Sequence, residues 1–164
     1  MIFIVLCLSS AAFLAFATLN YIEFFRALER FTMKLRNVDL LVGQKNATVD
    51  ITFEMRNPTS YVGFALREWS YRLTLKAGNQ SVNLSYDTIS YAEEPLAISP
   101  QWNKTFKHEA IIDITKPASS QFIMLYQLNQ GRQITWTLDI SVILLTPLIG
   151  QLDIPLSSSL ESEL

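Results

Sequence analysis

Ile134, Trp136, Leu138, Ile140, Val142 and Leu144 alternate with Thr135, Thr137, Asp139 and Ser141, the longest strict two-residue period in the chain. Successive side chains of a β-strand point to opposite faces, so the pattern describes a strand with one buried and one wet face. A helix would scatter the same apolar positions around its circumference. The period recurs in ATVDITFEMRN, where Val49, Ile51, Phe53 and Met55 alternate with Asp50, Thr52, Glu54 and Arg56. A chain built on such segments must pair strands and cover one face of each resulting sheet.

Turn signals divide the rest into further strands. Met33-Leu35 and Val38-Leu40-Val42 suggest a first strand ended by Gly43. Residues 61–76 read as a long or bent strand, with Trp69, Tyr71, Leu73 and Leu75 on one face. After the Ala77-Gly78-Asn79-Gln80 turn, residues 81–86 suit a short edge strand. Pro95 and Pro100 punctuate the next stretch. Within 104–115, Phe106, His108, Ala110, Ile112 and Ile114 share a side. Leu152, Ile154 and Leu156 form a terminal strand ahead of a polar tail. Lys116-Pro117 opens the one helix of the body, because proline is accepted at a first helical position, and Phe122, Leu125 and Tyr126 follow helical spacing before Gly131. Many short strands with one small helix predict an all-β antiparallel sandwich rather than an α/β sheet.

Residues 1–19 carry no charged side chain. As a helix this run spans roughly 28 Å, close to the hydrocarbon thickness of about 30 Å, so a single transmembrane helix is expected at residues 1–25. Its partner would be membrane lipid. Ala15-Phe16-Ala17 is also an A-x-A pattern, and cleavage before Thr18 with secretion is the competing reading. Signal peptides open on a basic region, which is missing ahead of this apolar run, so the retained anchor is preferred. Tyr21, Phe24, Phe25, Leu28 and Phe31 continue at helical spacing, which predicts a juxtamembrane helical stem over 26–36. The sandwich is expected at 37–158 and the polar tail at 159–164.

Arg26, Arg30, Lys34 and Arg36 follow the span and favour a cytoplasmic body by the positive-inside tendency. Four acceptor sequons argue for the opposite side: Asn46-Ala47-Thr48, Asn79-Gln80-Ser81, Asn83-Leu84-Ser85 and Asn103-Lys104-Thr105. Asn57-Pro58-Thr59 does not count, since proline blocks the motif. The sequons are given the greater weight, and the body is expected to face outward, with Asn46, Asn79, Asn83 and Asn103 as glycosylation candidates.

Little in the chain supports catalysis. The single cysteine, Cys7, lies in the apolar run and excludes an intrachain disulfide. The single histidine, His108, lies among apolar neighbours on an alternating strand and reads as a core or edge residue rather than a base. Glu93 and Glu94 are adjacent, so their side chains point apart. Five glycines leave no phosphate-binding loop, and no Asp, Glu or His spacing suggests a metal. A net charge of −2 gives no footprint for nucleic acid. Neither an enzyme nor a cofactor is expected. Partners would instead be other proteins, including subunits of a membrane complex packed against the small residues Ser9, Ser10, Ala11 and Ala12.

Four short motifs follow in order: an alternating strand ending at Asn57-Pro58-Thr59, a long strand through Trp69-Tyr71-Leu73, the strand after Ala97-Ile98-Ser99-Pro100, and a closing TPLIGQLDIP with Pro147 and Gly150 at its turn. This order resembles the late embryogenesis abundant group 2 proteins, whose module is also called the water-stress and hypersensitive response (WHy) domain. The resemblance covers roughly 33–160. It implies an immunoglobulin- or fibronectin-like sandwich and a non-catalytic, stress-related role. Two functions are thus expected to compete: an anchored structural or protein-interaction module, and a lipid-binding or membrane-protective one.

Overall fold

The computed structural model describes the backbone of residues 2–163 and the side chains of 7–84 and 88–163. Helix α1 (Ile2–Arg30) leads into strands β1 (Thr32–Val42), β2 (Asn46–Arg56), β3 (Phe64–Ala77), β4 (Gln80–Ser90), β5 (Leu96–Ile98) and β6 (Asn103–Asp113). Helix α2 (Pro117–Leu128) then precedes β7 (Gln133–Thr146) and β8 (Gly150–Glu163). One sheet has the order β1-β2-β6 and the other β4-β3-β7-β8. Strand β5 lies on the same flank of β3 as β4, because Glu68 pairs with Ser90 and Leu66 with Leu96. The two form one interrupted edge strand, from which residues 91–95 loop out.

The two sheets bury the alternating faces against each other. Inward residues of β7, from Ile134 to Leu144, are at most 2% exposed, as are Ala47, Val49, Ile51, Phe53 and Met55 of β2. Phe53 bridges the layers, edge-on to Trp69 of β3 at 5.0 Å between ring centroids and stacked on Phe106 of β6 at 5.3 Å. Along one side the sandwich is closed by β1 and β8. There β1 bulges, pairing Leu35 with Phe53 and Asn37 with Thr52, and the Leu35 amide donates to Ser158 Oγ at 2.9 Å. At the end away from α1, helix α2 lies over the core with Phe122, Ile123 and Leu125 buried. Phe122 and Tyr126 both pack on Trp136. Lys116 is extended ahead of Pro117, as the pre-proline clash requires.

Two expected boundaries are corrected. The stem over 26–36 is not helical throughout: α1 ends at Arg30, Phe31 N–H bonds back to Leu28, and Thr32 begins β1. Phe31, Met33 and Leu35 are buried on a two-residue period, and β2 supplies the backbone partners that a longer helix would forgo. Likewise 159–164 is no detached tail. Strand β8 runs through it to Glu163, pairing Leu160 with Trp136 and Ser162 with Ile134. Its serines are compatible with a partly exposed edge strand whose hydrogen bonds come from the β7 backbone. The sandwich therefore extends from Thr32 to Glu163. Strand β5 was not expected, since its three residues are too few to show a period. Val42 lies on the strand face predicted for it but is 40% exposed, beyond the edge of the core.

Candidate functional site

A buried polar cluster, Asn57-Pro58-Thr59, lies directly after β2. Proline ends the ladder, and the asparagine rebuilds the lost hydrogen bonds locally. Asn57 is fully buried, and its Oδ1 accepts from the Thr59 amide at 3.2 Å and from the Thr59 hydroxyl at 2.8 Å. Thr59 Oγ1 in turn accepts from the Tyr61 amide at 3.4 Å. The backbone is tied across to the loop before β6, since Asn57 N–H donates to Trp102 O and Gln101 N–H to Thr59 O, both at 2.8 Å. The turn is thus held from inside and from its neighbour.

What this turn presents is Tyr61. Its ring lies 5.6 Å from Phe24 of α1 and 4.8 Å from Phe64, and Phe24 lies 5.8 Å from Phe64. These three rings, with Ala27 and Phe31, carry the last turns of α1 into the sandwich core. Burial pushes the Tyr61 hydroxyl above its ordinary pKa of 10.0. At the rim, Ser60 Oγ donates to Glu23 Oε2 at 3.3 Å, and Glu23 also holds Arg26 at 2.8 Å.

The second turn motif meets the first at this end. Gly63 has φ +130°, and a Cβ there would come within 3.1 Å of the Tyr61 hydroxyl and 3.2 Å of Pro147 Cδ. Buried Thr146 accepts from the Ile149 amide at 3.2 Å, and Gly150 at φ +79° turns the chain into β8. Asn57, Pro58, Thr59, Pro147 and Gly150 thus belong to neighbouring turns at one end of the sandwich. Beside them an open crevice of about 350 Å³ separates α1 from the 60–62 loop, lined by Phe16, Leu19, Asn20, Glu23, Tyr61 and Val62.

The other candidates are scattered. His108 is half-buried, with Trp69 and Tyr71 rings edge-on to it at 5.7 and 5.2 Å. Glu93 and Glu94 are exposed on the 91–95 loop. Among the described residues, no three His, Cys, Asp or Glu side chains come together as metal ligands. All four sequon asparagines are exposed. Asn46, Asn79 and Asn83 lie towards the α2 end, whereas Asn103 begins β6 at the α1 end, its side chain bonded to Glu54. The Phe24–Tyr61–Phe64 cluster was not anticipated. Phe24 is conspicuous by its helical spacing, but nothing local to it names a partner 37 positions away.

No protein-family model matches the chain, and no curated protein does. Solved structures do resemble it in fold. The solution structure of AT1g01470 from Arabidopsis thaliana aligns over 80% of each chain with a TM-score of 0.54 and 16% identity. That of At2g46140.1, a candidate late embryogenesis abundant (LEA) protein, aligns over 94% of this chain and 86% of its own, with a TM-score of 0.52 and 17% identity. The chain has an LEA-like antiparallel β-sandwich fold, preceded by an apolar helix long enough to cross a membrane.

Proposed function

We propose that this chain is a non-catalytic, membrane-anchored sandwich of the LEA group 2 (WHy) type, acting as a structural or protein-interaction component at a membrane surface, with a stress-related role. The observation that carries this reading is the division of α1. Its last turns are core, with Phe24 and Ala27 at most 1% exposed, while Leu8, Phe13, Leu14, Phe16 and Leu19 are each more than 60% exposed. An exposed apolar helix of this length is at home in lipid rather than water. Because α1 enters the core without a flexible joint, an anchor here would orient the sandwich as well as tether it. Ser9, Ser10, Ala11 and Ala12 lie on the bare stretch, where small residues allow close helix contact in a membrane complex.

The lipid-handling alternative needs space between the sheets for an acyl chain. Phe53, Trp69 and Phe106 fill that layer by mutual ring contact, which favours the structural reading.

The test is expression of the full chain, alkaline carbonate extraction of the membranes, and intact mass measurement. Retention in the pellet with residues 1–17 present supports the proposal. Release into the supernatant with Thr18 as the first residue overturns it in favour of secretion. Every described core residue of α1 lies beyond that cleavage point, so the sandwich would survive processing and the two outcomes are separable.

A further inference from the structure

Three loops at the α1 end are free of charge: residues 57–63, 99–102 and 146–150 contain no Asp, Glu, Lys or Arg. Two of their apolar side chains stand in the open, Val62 at 70% and Ile149 at 52% exposure. Exposed apolar side chains are ordinary singly; here they continue another apolar surface. The crevice beside the 60–62 loop is lined on the helix side by Phe16, Leu19, Asn20 and Glu23, one stripe of α1. The loop therefore descends alongside the helix to the level of the last turns of its apolar run. Phe16 precedes the buried Phe24 by about 12 Å of helix. Gly63 packs on Pro147, which brings the 146–150 turn beside the same loop.

The end of the charge-free run locates the water boundary at the same level, because Glu23 and Arg26 are the first charged side chains after Leu19. We propose that Val62 and Ile149 insert into the interfacial layer of the bilayer that α1 crosses, forming a second membrane contact made by the sandwich itself. This rests on the anchor reading above. The occupant is lipid rather than a protein because Val62 shares a crevice with Phe16 and Leu19 on the lipid-facing side of α1, and Pro147 joins the 146–150 turn to the same loop. Loop backbone cannot leave water for hydrocarbon without losing hydrogen bonds, so the contact stops at the headgroup and upper acyl region. The sandwich then sits on the membrane with its α2 end pointing away.

The experiment uses the full chain with Cys7→Ser, carrying single cysteines at Val62, Ile149 or the distal Asn79, each labelled with a polarity-sensitive fluorophore. The protein is reconstituted in phosphatidylcholine vesicles. Quenching by headgroup spin-labelled lipid is compared with quenching by aqueous iodide. The expected result is several-fold stronger lipid quenching at positions 62 and 149 than at 79, with iodide showing the reverse order. Equal quenching at all three positions, in protein that still floats with the vesicles, overturns the proposal and leaves the anchor standing. Protein that does not float with the vesicles overturns both.

Discussion

The Phe24 ring of α1 meets the Tyr61 ring edge-on, with centroids 5.6 Å apart and planes at 68°. Through this contact the N-terminal helix and the turn after β2 share one apolar cluster, although one element presents a bare apolar surface and the other is part of a sandwich. Edge-to-face rings contribute beyond the area they bury, by about 0.5–1.5 kcal/mol per pair. Phe24 makes such contacts with both Tyr61 and Phe64.

Truncating that ring is expected to loosen the sandwich and not just the helix. Phe24→Ala removes a side chain 1% exposed, and such cavities cost about 3–5 kcal/mol. Its neighbour Phe25 is 55% exposed, so Phe25→Ala should change stability little. Thermal unfolding in mild detergent, followed by tryptophan fluorescence, checks the contrast. Trp69 and Trp136 lie in the core and report the sandwich. Equal losses for the two variants would show that the helix end is not part of the core.

Asn57 is expected to matter for its carbonyl oxygen. In Asn57→Ala the Thr59 amide and hydroxyl both lose their acceptor in a buried turn, at a cost of about 1–3 kcal/mol. Replacing the donor side as well, in Asn57→Ala with Thr59→Val, should cost less than the sum of the two single changes, because the hydroxyl is no longer stranded. Denaturant midpoints for the four proteins of the cycle check this.

Stability is expected to fall towards both extremes of pH, for different groups. Hydrogen bonds from Arg36 and Asn103 hold the Glu54 carboxyl below its ordinary 4.5, and the Thr115 hydroxyl and amide hold Asp113 below 3.8. A lowered carboxylate pKa stabilises the fold above the unfolded value, and that contribution is lost as pH falls through the lowered one. Glu54→Gln should therefore flatten the acid limb below about pH 4.5. Tyr61 is raised instead by burial, so its contribution is full below 10.0 and lost as pH climbs through the raised value. Tyr61→Phe should remove that alkaline loss. Unfolding titrations at fixed ionic strength, across both limbs, measure each effect.

The strands were legible because burial imposes a period of two, and β2 and β7 show it over nearly their full length. The turn at Asn57 and the start of α2 at Pro117 were legible because proline acts on its own neighbours. The junction at 31–32 was not. Leu28 and Phe31 fit a helix, Phe31, Met33 and Leu35 fit a strand, and only the presence of β2 decides between them. The last residues of β8 look like a tail because their order comes from pairing with β7 rather than from their own side chains. Charge-free loops at one end were visible in the sequence, but that they share an end is a property of the topology.

Sugar attachment is expected to follow access to the asparagine side chain. Asn79 lies exposed in the turn between β3 and β4, while the Asn83 amide oxygen accepts from Thr74 at 2.9 Å and the Asn103 side chain is engaged with Glu54. In a secretory-pathway host, Asn79→Gln should remove more glycosidase-sensitive mobility shift than Asn83→Gln or Asn103→Gln. A chain showing no such shift at any of the four positions would argue against an outward-facing body.

Gly63 offers the sharpest test of how closely the two turn motifs are joined. Its φ of +130° is strained for any side chain, at about 1–3 kcal/mol, and a methyl group would meet both the Tyr61 hydroxyl and the Pro147 ring. Gly78, at φ +58°, has open space around it. Gly63→Ala and Gly78→Ala should therefore both destabilise, with the larger loss at position 63. Tyr61→Phe removes the hydroxyl and should return part of the Gly63→Ala loss, with no effect on Gly78→Ala. Matching unfolding midpoints for the two alanine variants, or no rescue by Tyr61→Phe, would mean that the 57–63 and 146–150 turns do not press on one another as the Gly63 geometry requires.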